Sequence, residues 1–280
     1  MSVGQVDRWR ARGQAARARV EDARSKHASV DFGLALLEGD SSIGGGLFAG
    51  ALAYRLFVLL LPTALLLVSG LGLYAGAVDQ SPRQVTREAG LHGLFASNVA
   101  ATAAGGSRWL VFLAMIPAVL YAAAKLYRAL AVVHGIVWHG TGRLGRTTAR
   151  GVALLCGVLV TTLAAAAIAA WLRRHDQVGG LSALVVYTAL TGAAWLALSL
   201  ELPHGDAPWA ALLPGALLFG AGLLAVSLFN VYVTTRLVEN RADTYGALGV
   251  AAALLFSLVL VGRVVVVAAE LNALLARRRV

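Results

Sequence analysis

Arg55, Arg263 and Glu270 are ionisable side chains set inside long apolar runs, "ALAYRLFVLLLPTALLL" and "LVLVGRVVVVAAELNALLARRR". An arginine at the centre of a membrane helix costs about 2.5 to 3.5 kcal/mol on insertion scales, so each must find a partner, an interface or a wet cavity. Glu270 follows Arg263 by seven residues, which is two helical turns and nearly the same face. Counted from Arg277, Glu270 lies about 10 Å and Arg263 about 21 Å along the helix; Arg55 lies about 12 to 16 Å into its own, if that begins near Leu47 or Gly44. The overlapping depths predict that Arg55 pairs with Glu270 or shares it with Arg263. Tyr54 and Asn230 could extend the network, although each alone reads as an interhelical hydrogen-bond partner. Two chemistries fit. The arginines could hold a phosphate or carboxylate headgroup that Glu270 releases on protonation, or the three charges could clamp helices together.

Other chemistry finds no foothold. His134 and His139 in "HGIVWHG" are five apart, which does not share a helix face, and there is no His-Glu-x-x-His, phosphate-binding loop, nucleophile elbow or acidic metal cluster within a span. The expectation is a non-enzyme with no catalytic residues, no metal and no cofactor. The lone Cys156 excludes an internal disulfide.

The elements that must position these charges are helices. With 59% apolar residues, 14% charged residues and a mean hydropathy of +0.73, the chain reads as a membrane protein. Six stretches suffice to span, about 47–77, 109–133, 149–172, 181–200, 207–235 and 245–276. None alternates as a barrel strand would, so the fold class is all-α, a polytopic membrane protein with six transmembrane helices. This divides the chain into a basic amphipathic arm (1–43), a six-helix domain (44–277) and a basic tail (278–280).

Arginine and lysine set the orientation. The arm (Arg8, Arg10, Arg12, Arg17, Arg19, Arg24, Lys26), the second connection (Lys125, Arg128, Arg143, Arg146, Arg150) and Arg277 to Arg279 give fifteen basic residues on one side. Arg83, Arg87, Arg108, Arg173, Arg174, Arg236 and Arg241 give seven on the other. The positive-inside rule then places both termini in the cytoplasm of a bacterial inner membrane. The net charge of +10 is mostly juxtamembrane, so anionic lipid headgroups at the N-terminal arm, not nucleic acid, are the expected partners. A homo-oligomer is left open.

Outside the spans, Val6, Trp9, Gly13, Ala16, Val20, Ala23, His27 and Val30 mark a weakly apolar helical stripe, and "DFGLALLEGDSSIGGG" reads as a short amphipathic segment with a glycine hinge. Val85, Ala89, His92, Phe95 and Val99 predict a second amphipathic helix in the first external loop. Pro62, Pro117 and Pro214 should kink their spans. Gly46 with Gly50 and Gly72 with Gly76 match the small-xxx-small packing pattern.

The run "AGALAYRLFVLLLPTALLL", followed by "LLPGALLFGAGLLAVSLFNVYV", "TYGALGVAAALLFSLVLVG" and "AAELNALL", resembles the YihY/virulence factor BrkB family of bacterial inner-membrane proteins from about Gly44 to Ala276. Its most specific part is Pro214-Gly215, Tyr232, Tyr245-Gly246 and Glu270-Leu271-Asn272. The resemblance implies six transmembrane helices with both termini cytoplasmic. Family members often carry a serine or threonine shortly before the first-span proline, where this chain reads "RLFVLLLP". Members have been labelled ribonucleases or linked to envelope integrity, serum resistance or lipid export. A ribonuclease would need a metal or a water-facing acid and base, which the sequence does not offer. The readings carried forward are transport or flipping of an envelope lipid or other amphiphile, and a non-catalytic structural scaffold for the envelope.

Overall fold

The computed structural model describes residues 21–22, 24–77, 108–140, 148–175, 179–230 and 235–279. They form seven helices: α1 (Ala28–Ile43), α2 (Gly45–Ala77), α3 (Arg108–His139), α4 (Ala149–His175), α5 (Gly179–Ser199), α6 (Trp209–Phe229) and α7 (Thr235–Arg279). No strand occurs among the described residues. Helices α2 to α7 each hold a stretch long and apolar enough to cross a bilayer: Gly45–Tyr74, Trp109–His139, Ala149–Ala169, Gly180–Ser199, Trp209–Phe229 and Ala252–Arg278. Six crossings return the chain to the side it started from, so the start of α2 and the end of α7 share one face, called here the terminal face.

Several bounds differ from the hydropathy reading. Helix α3 continues past Val133 to His139, because His134 is buried and its ring nitrogen bonds the Leu130 carbonyl at 3.0 Å. Gly140, at a φ of 67°, follows the helix end. Helix α6 begins at Trp209 behind Pro208, whose extended backbone serves as the N-cap, and ends at Phe229. Helix α7 begins at Thr235, ten residues before Tyr245. Pro62, Pro117 and Pro214 lie inside α2, α3 and α6, and each helix runs on through its proline. The stripe from Val6 to Val30 falls largely outside the described residues, and the loop helix from Val85 to Val99 falls wholly outside them.

The spans form a ring in sequence order, α2 against α3, α4 against α5, α5 against α6, α6 against α7, and α7 closing on α2. The α3 to α4 seam is much thinner than the others. Large apolar side chains on the outside, including Leu61, Leu65, Leu110, Leu163, Leu181 and Leu217, match a lipid surround rather than water. Inside, Trp195 stacks on Phe219 with ring centroids 4.1 Å apart, and His134 lies against Trp195. Lipid offers no hydrophobic drive between helices, so close contact needs small residues. A Cβ on Gly262 would strike the backbone of Ala49, which sets how near α7 comes to α2. Gly46 and Gly50, by contrast, are exposed, and no atom of the described residues comes near their would-be Cβ positions.

Candidate functional site

Arg263, Glu270 and Arg277 follow one another at seven-residue steps along α7, a spacing that drifts by only about 20° per step. Each meets a different fate. Arg263 donates from Nη1 and Nη2 to the two carboxylate oxygens of Asp40, at 2.8 and 2.9 Å, the forked geometry that makes arginine to carboxylate pairs strong. Arg277 donates to the Val137 carbonyl at the end of α3, at 2.7 Å. Glu270, between them, is 6% exposed, and neither carboxylate oxygen has a hydrogen-bond partner among the described residues. It lies close enough to Asp40 and Arg263 to feel both charges.

Asp40 belongs to α1, which lies beside the last part of α7 and runs the opposite way. Arg278 donates to Asp31 near the start of α1 at 2.9 Å and sits over the Phe32 ring, while Arg263 holds Asp40 near its end. Gly44, with φ at 71°, then turns the chain, and its N–H donates back to the Ser41 carbonyl. The next residue, Gly45, packs so tightly on Asp40 and Arg263 that a Cβ there would overlap the Asp40 carboxylate. Asp31 also accepts from Arg24 at 2.8 Å. The Arg24 and Arg278 hydrogen bonds hold the Asp31 carboxyl below the usual carboxylate range.

The expected pairing of Arg55 with Glu270 is not what the structure places there. Arg55 and Tyr54 are exposed on the outside of α2, and Arg55 has no ion pair or hydrogen bond to a described residue. Arg263 does not spend its fork on Glu270 either, since Asp40 takes it. Helix α2 is apolar all round, so depth along it could be counted but its inward face could not be chosen. Asn230 is engaged elsewhere, accepting from the Ser257 hydroxyl at 2.5 Å. Two contributors were not among the candidate site residues: Asp40, in what read as a short amphipathic segment with a glycine hinge, and Asn272, which entered only through the family resemblance. Asn272 accepts from the Gly215 N–H at 2.7 Å and donates to the Leu212 carbonyl at 3.2 Å, pinning α7 to α6.

A separate cavity of about 390 Å³ opens at the terminal end of the α3 to α4 seam, lined by Tyr127, Ala131, Thr148 and Leu200 to Gly205. Tyr127 donates to the Glu201 carbonyl at 3.1 Å, and Arg150 pairs with the Glu201 carboxylate at 3.0 Å. None of Arg55, Arg263 and Glu270 lines it. No group of three or more His, Cys, Asp or Glu side chains able to hold a metal occurs among the described residues.

Six helices long and apolar enough to cross a bilayer, with no strand among the described residues, define a multi-pass, all-helical membrane protein. The chain matches the family described as Virulence factor BrkB over residues 41–280, and it belongs to that family. No curated protein and no solved structure matches it.

Proposed function

We propose that the chain moves an envelope lipid or other amphiphile with an anionic headgroup across, or between the leaflets of, the bacterial inner membrane. One observation carries this: Arg263, part-way along a membrane-spanning helix, is held by a carboxylate from outside the ring, Asp40 of α1, while Glu270 two turns further on stays buried with no partner among the described residues. Charges at such positions mark substrate or ion pathways more often than not. Asp40 presents to Arg263 the same paired oxygens that a phosphate or carboxylate headgroup would present. The thin α3 to α4 seam supports the reading by giving an acyl chain a place to enter the ring from the side. The excess of arginine and lysine in the N-terminal arm and at Arg277 to Arg279 supports cytoplasmic termini, with the arm on anionic lipid, although Lys125 and Arg128, counted with the second connection, lie inside the α3 span. Transport of this kind requires no catalytic residue, and we take the chain to be a non-enzyme.

The test is vesicle reconstitution of the full chain with a fluorescent anionic phospholipid. Wild type should equilibrate the label between leaflets faster than protein-free vesicles, and Arg263→Gln should fall to that background. Wild type indistinguishable from empty vesicles sinks the proposal.

The scaffold reading rests on the same ion pair, since Asp40 already saturates the Arg263 fork. Under it, Asp40→Asn and Arg263→Gln each fail to accumulate in membranes and the double variant recovers, because one unpaired buried charge costs more than none. Under transport, the single variants accumulate and fail only in lipid movement.

A further inference from the structure

Asp40 of α1 binds the Arg263 guanidinium, and a second acid, Glu270, lies two turns further along α7, near enough to feel both charges. Both arms of the fork go to Asp40. Both Glu270 oxygens are buried, and neither has a hydrogen-bond partner among the described residues. An ionised carboxylate in that setting is among the costliest groups a protein can bury, whereas a neutral carboxyl is tolerated. What completes the site must neutralise one negative charge and needs almost no room. A proton does both.

The other charged or titratable groups around Glu270 leave this balance unchanged. On α7 itself Arg277 is committed to the Val137 carbonyl. On α1, Glu38 is bonded to Arg24 and Asp31 to Arg24 and Arg278. On α2, Tyr54 and Arg55 face outward. On α3, Lys125 lies over the Tyr121 ring, Tyr127 donates to the Glu201 carbonyl, Arg128 and His139 are exposed, and His134 is turned to the Leu130 carbonyl and Trp195. Helix α6 carries no titratable side chain at all.

We propose that Glu270 is a proton-binding site: it holds a proton while Arg263 is bound to Asp40, and gives it up when Arg263 leaves Asp40 and turns to Glu270. The two residues are about 10.5 Å apart along one helix face, a gap that an extended arginine and a glutamate close between them. The charges balance. Neutral Glu270 with the Arg263 to Asp40 pair becomes an ionised Glu270 paired to Arg263. The proton passes to water admitted as α1 withdraws, and Asp40 keeps its charge in that water. Withdrawal has a hinge in Gly44 and, at the far end of α1, only half-exposed ties to break. Coupling of this exchange to headgroup movement rests on the transport reading; the proton on Glu270 does not.

Infrared difference spectroscopy of the full chain in lipid nanodiscs reads the proton directly. At neutral pH wild type should show the carbonyl stretch of a protonated carboxyl that is missing in Glu270→Gln, and Arg263→Gln should retain it. Asp40→Asn should lose it, because the freed Arg263 then ionises Glu270. A wild-type spectrum without that band, or a band unchanged in Asp40→Asn, overturns the proposal. Should Asp40→Asn fail to fold, a nitroxide on Ser41→Cys in a Cys156→Ala background reports α1 instead. Its mobility should rise with pH in step with loss of the band, and Glu270→Gln should abolish that rise. A label blind to pH while the band disappears also overturns the exchange.

Discussion

Asn272 holds Gly215 by its backbone: the amide oxygen accepts the Gly215 N–H at 2.7 Å, and Gly215 has no side chain to keep the amide away. Both groups are buried. Asn272→Ala leaves the N–H short of this partner and the Leu212 carbonyl short of a donor, a loss of about 1 to 3 kcal/mol. Thermal unfolding in detergent should show a clearly lower midpoint for Asn272→Ala than for wild type. An unchanged midpoint would mean that the bond adds nothing to the α6 to α7 contact.

Gly262 should resist even the smallest side chain. A methyl there meets the Ala49 backbone, which unlike a flexible side chain has little freedom to give way. Overpacking of this kind costs about 1 to 3 kcal/mol. Gly262→Ala should therefore reduce the folded yield, while Gly50→Ala, at an open position on the same partner helix, should leave it unchanged. Equal yields for the two variants would contradict the close α2 to α7 approach.

Arg55→Leu should not lower stability. The side chain is exposed and has no described partner, so its loss strands no opposite charge, and a leucine on an outward face suits lipid better than an arginine does. Membrane accumulation and thermal unfolding of Arg55→Leu beside wild type decide it. A collapse of Arg55→Leu would show that Arg55 carries a structural load after all.

Acid should loosen α1. The folded-state pKa of Asp31 is depressed by Arg24 and then Arg278, so its contribution is fully present above its unfolded value of about 4. That contribution disappears as pH falls through the lower, folded value. Limited proteolysis between residues 24 and 44 should accelerate in that acid range, and Asp31→Asn should cleave at the acid rate even at neutral pH. Cleavage independent of pH in wild type would count against the tie.

The number of spans and the shared face of Arg263 and Glu270 were legible because hydrophobic length and helical period are local properties of a sequence. The partner choice was not. Asp40 and Arg263 are 223 residues apart, and nothing local to either identifies the other. Arg55 illustrates a second limit. A helix without a polar side has no readable inward face, so equal depth did not imply contact. The same ambiguity hid the exposed setting of Gly46 and Gly50 and gave no sign that Gly262 and Gly215 make the close approaches. The cavity depends on the connection from Leu200 to Gly205 folding against α3, a tertiary event with no periodic signature.

The hydrogen bond from Arg277 to the Val137 carbonyl also sets a schedule. That carbonyl is in the last turn of α3, among those that a helix end leaves without an intrahelical donor. The Arg277 donor is encoded 140 residues later, on the order of ten seconds of synthesis. Throughout that interval the Val137 carbonyl lacks Arg277, and α1 has neither Arg263 nor Arg278 to bind. The first-made segments thus wait on the last-made helix, and the terminal face closes only once residues 263 to 278 have left the ribosome.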